Sequence, residues 1–292
     1  MRGFGADKRK FPLKKINHLS IEQIIHSAIQ LQLSGNFQEA SKHYKYCLDK
    51  GINDPRIFCN YGLILRELGD LRNAQLMMQK SIEISPEDTS GYNNLSGILK
   101  EQGKYNEAEA ILNKCLKIDQ YNSITLNNLG NVLIFQGKPD KAELIFKKAI
   151  SFNMFDHNAY LNLGSCMKIL GNITKAIEYT LKSIDIKSNN PSAYCNLGEF
   201  FRISGDYEKA IFNFTKVLDL NKNNTTAKCG LLKCKGLICD WNNYDNDFVW
   251  INVLGLKGDS VNPYLLFFYE DNPINHLKRA KRYSKMNFQR NN

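Results

Sequence analysis

Between residues 123 and 135, Leu126, Leu129, Gly130 and Leu133 fall at spacings of three and four, which places them on one face of a helix. Gly137 and Pro139 interrupt the pattern, and Ala142, Leu144, Ile145, Phe146 and Ala149 then begin a second helical face. The same alternation of apolar face and breaker recurs along the chain. Ala40, Ala74, Ala108, Ala142, Ala176 and Ala210 are each 34 residues apart, and Gly35, Gly69, Gly103, Gly137, Gly171 and Gly205 precede them by five. With the frame started at Ile21, repeats begin at 21, 55, 89, 123, 157 and 191, followed by a degenerate one at 225. The pattern predicts an all-α chain of repeated helix pairs.

The columns of the repeat explain how each pair would close. Gly130 and Ala142 are small residues that let two helices approach, while Leu129 and Phe146 fill the space beside them. Gly62, Gly164 and Gly198 take the place of Gly130, and Ala28 and Ser96 keep it small. Tyr61, Leu95, Leu163 and Leu197 match Leu129. Tyr44, Met78, Leu112 and Phe214 match Phe146, with Thr180 the polar exception. A two-helix unit cannot bury both of its apolar faces alone, so neighbours must stack and share a continuous core. The expected architecture is a solenoid, a right-handed superhelix of helix pairs whose first helices line the concave side. In repeat length and in its Leu-Gly, Tyr/Phe and Ala positions the chain resembles the tetratricopeptide repeat family over residues 21–235. That resemblance implies a module that binds another protein or an extended peptide.

One column is not accounted for by helix packing. Asn60, Asn94, Asn128, Asn162 and Asn196 repeat at the same interval, with His26 in the first repeat. Asparagine is a poor interior helix residue because its amide competes with the backbone, so the column calls for another role. In one reading each amide satisfies a neighbouring turn and holds the stack together. In the other the amides face the groove and hydrogen-bond the main chain of an extended peptide, with choice among peptides left to Arg56, Asn93, Asn127, Asn131, Asn158 and Glu199.

Beyond the degenerate repeat the pattern changes, which divides the chain into residues 1–20, a basic extension, 21–235, the array, and 236–292. Trp241, Phe248 and Trp250 bring both tryptophans close together and suit a cap over the last repeat's apolar face. His276 to Lys285 reads as a short basic helix. The order Leu231, Cys234, Cys239-Asp240-Trp241, Asn262-Pro263-Tyr264 and Ala280-Lys281-Arg282-Tyr283 also resembles the junction between repeats and catalytic region in the protein O-linked N-acetylglucosamine transferase and SPINDLY-like family. That resemblance implies an asparagine ladder holding an acceptor polypeptide ahead of a two-lobed nucleotide-sugar transferase domain. Residues 229–285 match only the entrance to such a domain. They lack the histidine common near its Asn-Pro stretch, so no catalytic residue carries over.

Charge and candidate chemistry change this picture little. The formal charge is +10, but residues 1–15 hold six basic side chains against one acid and residues 272–292 hold six against none. The remainder is nearly neutral, which argues against a specific nucleic-acid surface. His18, His26, His43, His157 and His276 form no ligand pair, and Cys229, Cys234 and Cys239 are spaced so that they do not converge on a zinc ion. Cys47 and Cys115 occupy small packing positions. No phosphate-cradling loop, acid-base pair, metal site or cofactor site is expected. No segment has the length and hydropathy of a membrane span or a signal peptide, and the eight dilute cysteines fit a reduced, cytoplasmic setting. The expected function is partner or peptide binding without catalysis. The alternative is a substrate-recognition fragment of a nucleotide-sugar-dependent protein O-glycosyltransferase.

Overall fold

The computed structural model describes residues 19–241, 250–266, 269 and 272–288. The regular structure there is helical, and no strand forms beyond an isolated bridge between Leu254 and Lys257. The chain divides into two compact units after Lys138. The first contains α1 (Ile21–Leu33), α2 (Phe37–Asp49), α3 (Pro55–Glu67), α4 (Leu71–Ile84), α5 (Thr89–Glu101), α6 (Tyr105–Ile118) and α7 (Ser123–Phe135). The second contains α8 (Pro139–Phe152), α9 (His157–Ile169), α10 (Ile173–Ile186), α11 (Pro191–Ser204), α12 (Tyr207–Leu220), α13 (Thr225–Leu237) and α14 (Pro273–Phe288), with a 3-10 turn at Pro263–Leu266. The odd-numbered helices from α1 to α13 therefore start at the seven positions where the sequence frame places a repeat.

Capping residues set these starts. Ser20, Asp54, Asp88, Asn122, Asp156, Asn190 and Asn224 stand one residue ahead of the seven helices, and the side chain of each accepts a backbone N–H from the first turn. Each such cap is worth about 1 kcal/mol, so the series fixes where every first helix begins. The recurring turn glycine has a different cause. Gly35, Gly69, Gly103, Gly137, Gly171 and Gly205 all have φ between +72° and +83°, the left-handed region that side-chain-bearing residues avoid, and a Cβ there would meet nothing. Backbone conformation, not space, selects glycine at this turn.

Space selects it inside the helix pairs. A Cβ on Gly62 would lie 2.9 Å from Met78 Cε, and one on Gly198 would lie 2.8 Å from the Phe214 ring. Ala40, Ala74, Ala108, Ala142, Ala176 and Ala210 are fully buried, as are Tyr44, Met78, Leu112 and Phe146. The second helices are also pinned by polar contacts: the Ser81 hydroxyl donates to the Pro55 carbonyl at 2.9 Å and the Ser183 hydroxyl to that of His157 at 2.7 Å. Cys115 occupies the same column. It is buried, as its packing position predicts, and its thiol also lies 3.2 Å from the Thr125 hydroxyl. Within each unit, successive first helices touch one another as well as their own partners, α3 against α1 and α5, and α11 against α9 and α13. They form the inner layer of each stack.

The segment after α13 is built differently. Leu232, Ile251, Leu254, Val261, Leu266 and Tyr269 form a small core, with Trp250 packed against it. Arg279 of α14 is completely buried beneath it, donating from Nε to Leu254 O at 2.8 Å and from Nη2 to the carbonyls of Ile251 and Asn252 at 3.2 and 3.3 Å. Arg282 donates to Gly258 O at 2.6 Å. The basic helix expected from the sequence is thus present, and two of its arginines hold the preceding turns by their carbonyls. The Cys239 φ of +54° marks the sharp exit from α13. Phe248, proposed for the cap, and residues 1–18 of the basic extension lie outside the described residues.

Candidate functional site

Asn60, Asn94, Asn128, Asn162 and Asn196 sit in the middle of α3, α5, α7, α9 and α11, and all are half-buried. The first three belong to one compact unit and the last two to the other. In the first unit, Asn94 Nδ2 donates to Cys59 Sγ at 3.4 Å and Asn128 Nδ2 donates to Asn93 Oδ1 at 2.9 Å, each bond reaching the preceding first helix. In the second, Asn196 Nδ2 donates to Ser165 Oγ at 3.1 Å. Asn60 lies beside Tyr44. Burial drives the Tyr44 hydroxyl up to about 12, the nearby Asn60 amide opposes the rise, and no hydrogen bond to the hydroxyl closes.

The Asn93 contacts fix which way its neighbour points. Asn93 Nδ2 donates to Thr89 O and to Thr125 Oγ1, both at 3.0 Å. Its amide nitrogen is therefore committed, its Oδ1 must accept, and Asn128 must present a nitrogen to it. A carboxamide nitrogen carries two hydrogens and its oxygen two lone pairs, so one bond to the preceding helix leaves Asn128 with an N–H and a C=O. The same count holds for Asn94 and Asn196. The inter-repeat bond orients the amide and does not exhaust it.

The flanking positions are more constrained than their sequence suggests. Arg56 is held by Glu22 and Asp54, both at 2.6 Å, and Glu199 by Arg202 at 2.8 Å, which keeps the Glu199 carboxyl below its ordinary range. Asn127 is buried, and Asn93 is spent as described. Asn131 is half-buried and Asn158 is exposed at the start of α9.

Two adjoining cavities of the second unit lie at the end of its column. One, of about 440 Å³, contains Asn196 together with Glu199, Cys195, Cys229 and Lys233, and is closed by Asp259, Ser260 and Asn262. The other, of about 500 Å³, is lined by Leu232, Leu237, Trp241, Leu265 and Tyr269 with Arg202 and Lys233. Sequence reasoning missed both, because they are made by the return of residues 259–265 and Tyr269 against α13. Cys195 and Cys229 have thiols raised by burial, in the case of Cys229 to about 11, which suits packing and not nucleophilic attack. None of the eight cysteines is in a disulfide, and no cluster of three metal-ligating side chains occurs among the described residues. No helix among them is long and apolar enough to cross a membrane.

Comparison with known folds agrees with this geometry. The structure is similar to a tetratricopeptide repeat protein from Parabacteroides merdae, with a TM-score of 0.63 at 16% identity, covering 90% of this chain and 98% of that one. PilW, a type IV pilus biogenesis factor, gives 0.62 at 16% identity over 70% and 95% of the two chains, and PilF of Pseudomonas aeruginosa gives 0.57 at 17% over 71% and 95%. At these identities the likeness is one of fold. Comparison with curated protein sequences finds no match. Family models for the tetratricopeptide repeat match residues 55–88, 88–153, 157–190 and 191–224, which is more than half of the chain and follows the repeat frame. The chain belongs to the tetratricopeptide repeat family.

Proposed function

We propose that this protein binds an extended peptide segment of a partner protein along its first helices, through Asn60, Asn94 and Asn128 in one unit and Asn162 and Asn196 in the other, and has no catalysis of its own. The array at 21–235 is the recognition element in this reading and residues 236–292 its cap. The observation that carries it is the spare N–H and C=O on Asn94, Asn128 and Asn196 after each has spent one donor on its neighbour. The two sequence readings of the column then merge: the bond that ties the repeats together also aims the amide. Each neutral hydrogen bond contributes about 0.5–1.5 kcal/mol, so one amide is a weak anchor and several in register reach micromolar affinity after ordering costs.

The test uses a fluorescein-labelled twelve-residue peptide of alanine, serine and threonine, and the same peptide with alternate residues N-methylated. The parent peptide should bind, the methylated one should lose about tenfold or more in affinity, and Asn94→Ala, Asn128→Ala and Asn162→Ala combined should abolish the difference. Equal binding of the two peptides would sink the main-chain reading whatever the variant does to stability.

A second reading is that the array is the substrate-recognition arm of a nucleotide-sugar-dependent protein O-glycosyltransferase. It is supported by the run Cys239-Asp240-Trp241 directly after α13 and by Ala280-Lys281-Arg282-Tyr283 within α14, in the order of that family's domain junction. A coding sequence continuing in frame into a two-lobed domain would favour it, and a stop codon directly after Asn292 would remove it.

A further inference from the structure

We infer that the apolar cavity between α13 and Asn262, Leu265 and Tyr269 is an anchor pocket that takes one bulky apolar side chain of the bound peptide, with an acidic residue next to it in the peptide meeting Lys233. The inference rests on the peptide reading above and supplies what that reading lacks. A ladder that reads main chain cannot choose a register; an anchor at its end can.

Three observations support the inference. The pocket adjoins the column: Lys233, Asn262 and Leu265 line both this cavity and the neighbouring one that contains Asn196, so the anchor would lie one cavity away from a chain held at Asn196. The walls are side chains of the wrong kind for open solvent. Leu237 is 56% exposed and Trp241 47% exposed, whereas Leu232, Leu266 and Tyr269 beside them are buried. At about 500 Å³ the space falls within the range of pockets that enclose small organic groups, and an aromatic or branched aliphatic side chain fits inside it. The charge is also one-sided. Among the described residues, the ionisable side chains lining the apolar cavity are Arg202 and Lys233, apart from the Tyr269 phenol. Glu199 already neutralises Arg202 through two bonds of 2.8 Å, whereas Lys233 is exposed and makes no ion pair or hydrogen bond among the described residues. The Tyr269 hydroxyl is spent on Leu232 O, so the ring presents an apolar face. An apolar side chain beside a carboxylate matches both the wall and Lys233, a cation that Glu199 reaches only at longer range.

The experiment adds Phe-Glu to either end of the twelve-residue peptide and measures affinity by fluorescence anisotropy with the full chain. At one end or the other the addition should tighten binding about tenfold or more, the usual gain from burying one large apolar side chain. Trp241→Ala should remove that gain and leave the unmodified peptide's affinity unchanged. Lys233→Glu should reverse the charge preference, so that Phe-Lys outbinds Phe-Glu, an outcome that misfolding does not produce. No gain at either end, a gain that survives Trp241→Ala, or an unchanged preference for Phe-Glu in Lys233→Glu would overturn the anchor. Binding of the Phe-Glu peptide with no measurable binding of the unmodified one would keep the anchor and defeat the main-chain ladder, whereas the converse would defeat the anchor alone.

Discussion

The repeats and the segment that follows them solve the same packing problem by opposite means. In the helix pairs, cohesion comes from leaving side chains out: Gly62, Gly164 and Gly198 face alanine backbone or a large side chain, and no charge is buried between them. Beyond α13 it comes from putting a charge in, since Arg279 is fully buried and ties three carbonyls at and just after the end of the helical turn at Trp250 and Ile251. A helix satisfies its own backbone. The last carbonyls of a helix and the turn beyond it have no such partner, and buried carbonyls left unpaired cost about 1–3 kcal/mol each. The arginine supplies the donors that the end of this helical turn lacks.

The largest expected effect breaks the cap side of this contrast. Arg279→Ala should destabilise the cap by about 3 kcal/mol or more, because it orphans several carbonyls at once and leaves a cavity. Arg279→Lys should recover little, since one ammonium lacks the planar fork that reaches three acceptors. Repeats depend mainly on their nearest neighbours, so the array should stay folded. Tryptophan fluorescence, reporting on Trp250 against the cap core, should move to lower denaturant while the helical signal at 222 nm moves little. Coincident shifts of both signals would show that cap and array unfold as one.

A smaller effect sharpens the contrast inside the array, at two glycines of one column. Alanine is the better helix former by about 1 kcal/mol, so substitution gains that much unless the new methyl collides. At Gly62 the methyl would meet Met78 Cε at 2.9 Å, the far end of a flexible side chain, and lie 3.3 Å from the Ala74 carbonyl oxygen and Met77 Cβ, a milder approach to the backbone than at Gly164, and Gly62→Ala should be close to neutral. At Gly164 it would overlap the Thr180 hydroxyl and lie 3.0 Å from the Ala176 carbonyl oxygen, part of a helix backbone. Thr180 is β-branched and stiff, so Gly164→Ala should cost about 1–3 kcal/mol. Chemical denaturation of the two variants side by side checks this; equal midpoints would mean that the α9 and α10 contact yields as easily as that of α3 and α4.

These cases also show what a sequence carries. Period, helix starts and the small-residue columns were legible because each recurs six or seven times, and repetition turns a weak local preference into a pattern. The turn glycines were visible in the same way, although only the left-handed φ separates their cause from that of Gly62 or Gly164. The caps Ser20, Asp54, Asp88, Asn122, Asp156, Asn190 and Asn224 form an equally regular series, and counting polar residues ahead of each helix would have found it. Arg279 was not legible. A basic residue in a basic helix carries no local sign of burial, and its partners lie about 25 residues away in the chain. The orientation of Asn128 was hidden for the same reason, since it depends on Asn93 and, through Asn93, on Thr89 and Thr125.

The smallest expected effect concerns the one polar residue where the other repeats have Tyr44, Met78, Leu112, Phe146 and Phe214. Thr180 is fully buried and its hydroxyl finds no hydrogen-bond partner among the described residues. An unpaired buried hydroxyl carries its desolvation cost without return, so replacing it by a methyl group of nearly the same shape removes a penalty and keeps the packing. Thr180→Val should therefore stabilise the protein, by about 1 kcal/mol, or about 2–4 °C in Tm for a chain of this size. Valine keeps the branched shape against Gly164, so the variant separates polarity from volume at this contact. A fall in Tm would show that the hydroxyl does bond in solution, with the carbonyl of Ala176 four residues before it on α10 as the acceptor within reach, and the second unit would then hold one more polar tie than its first-helix column reveals.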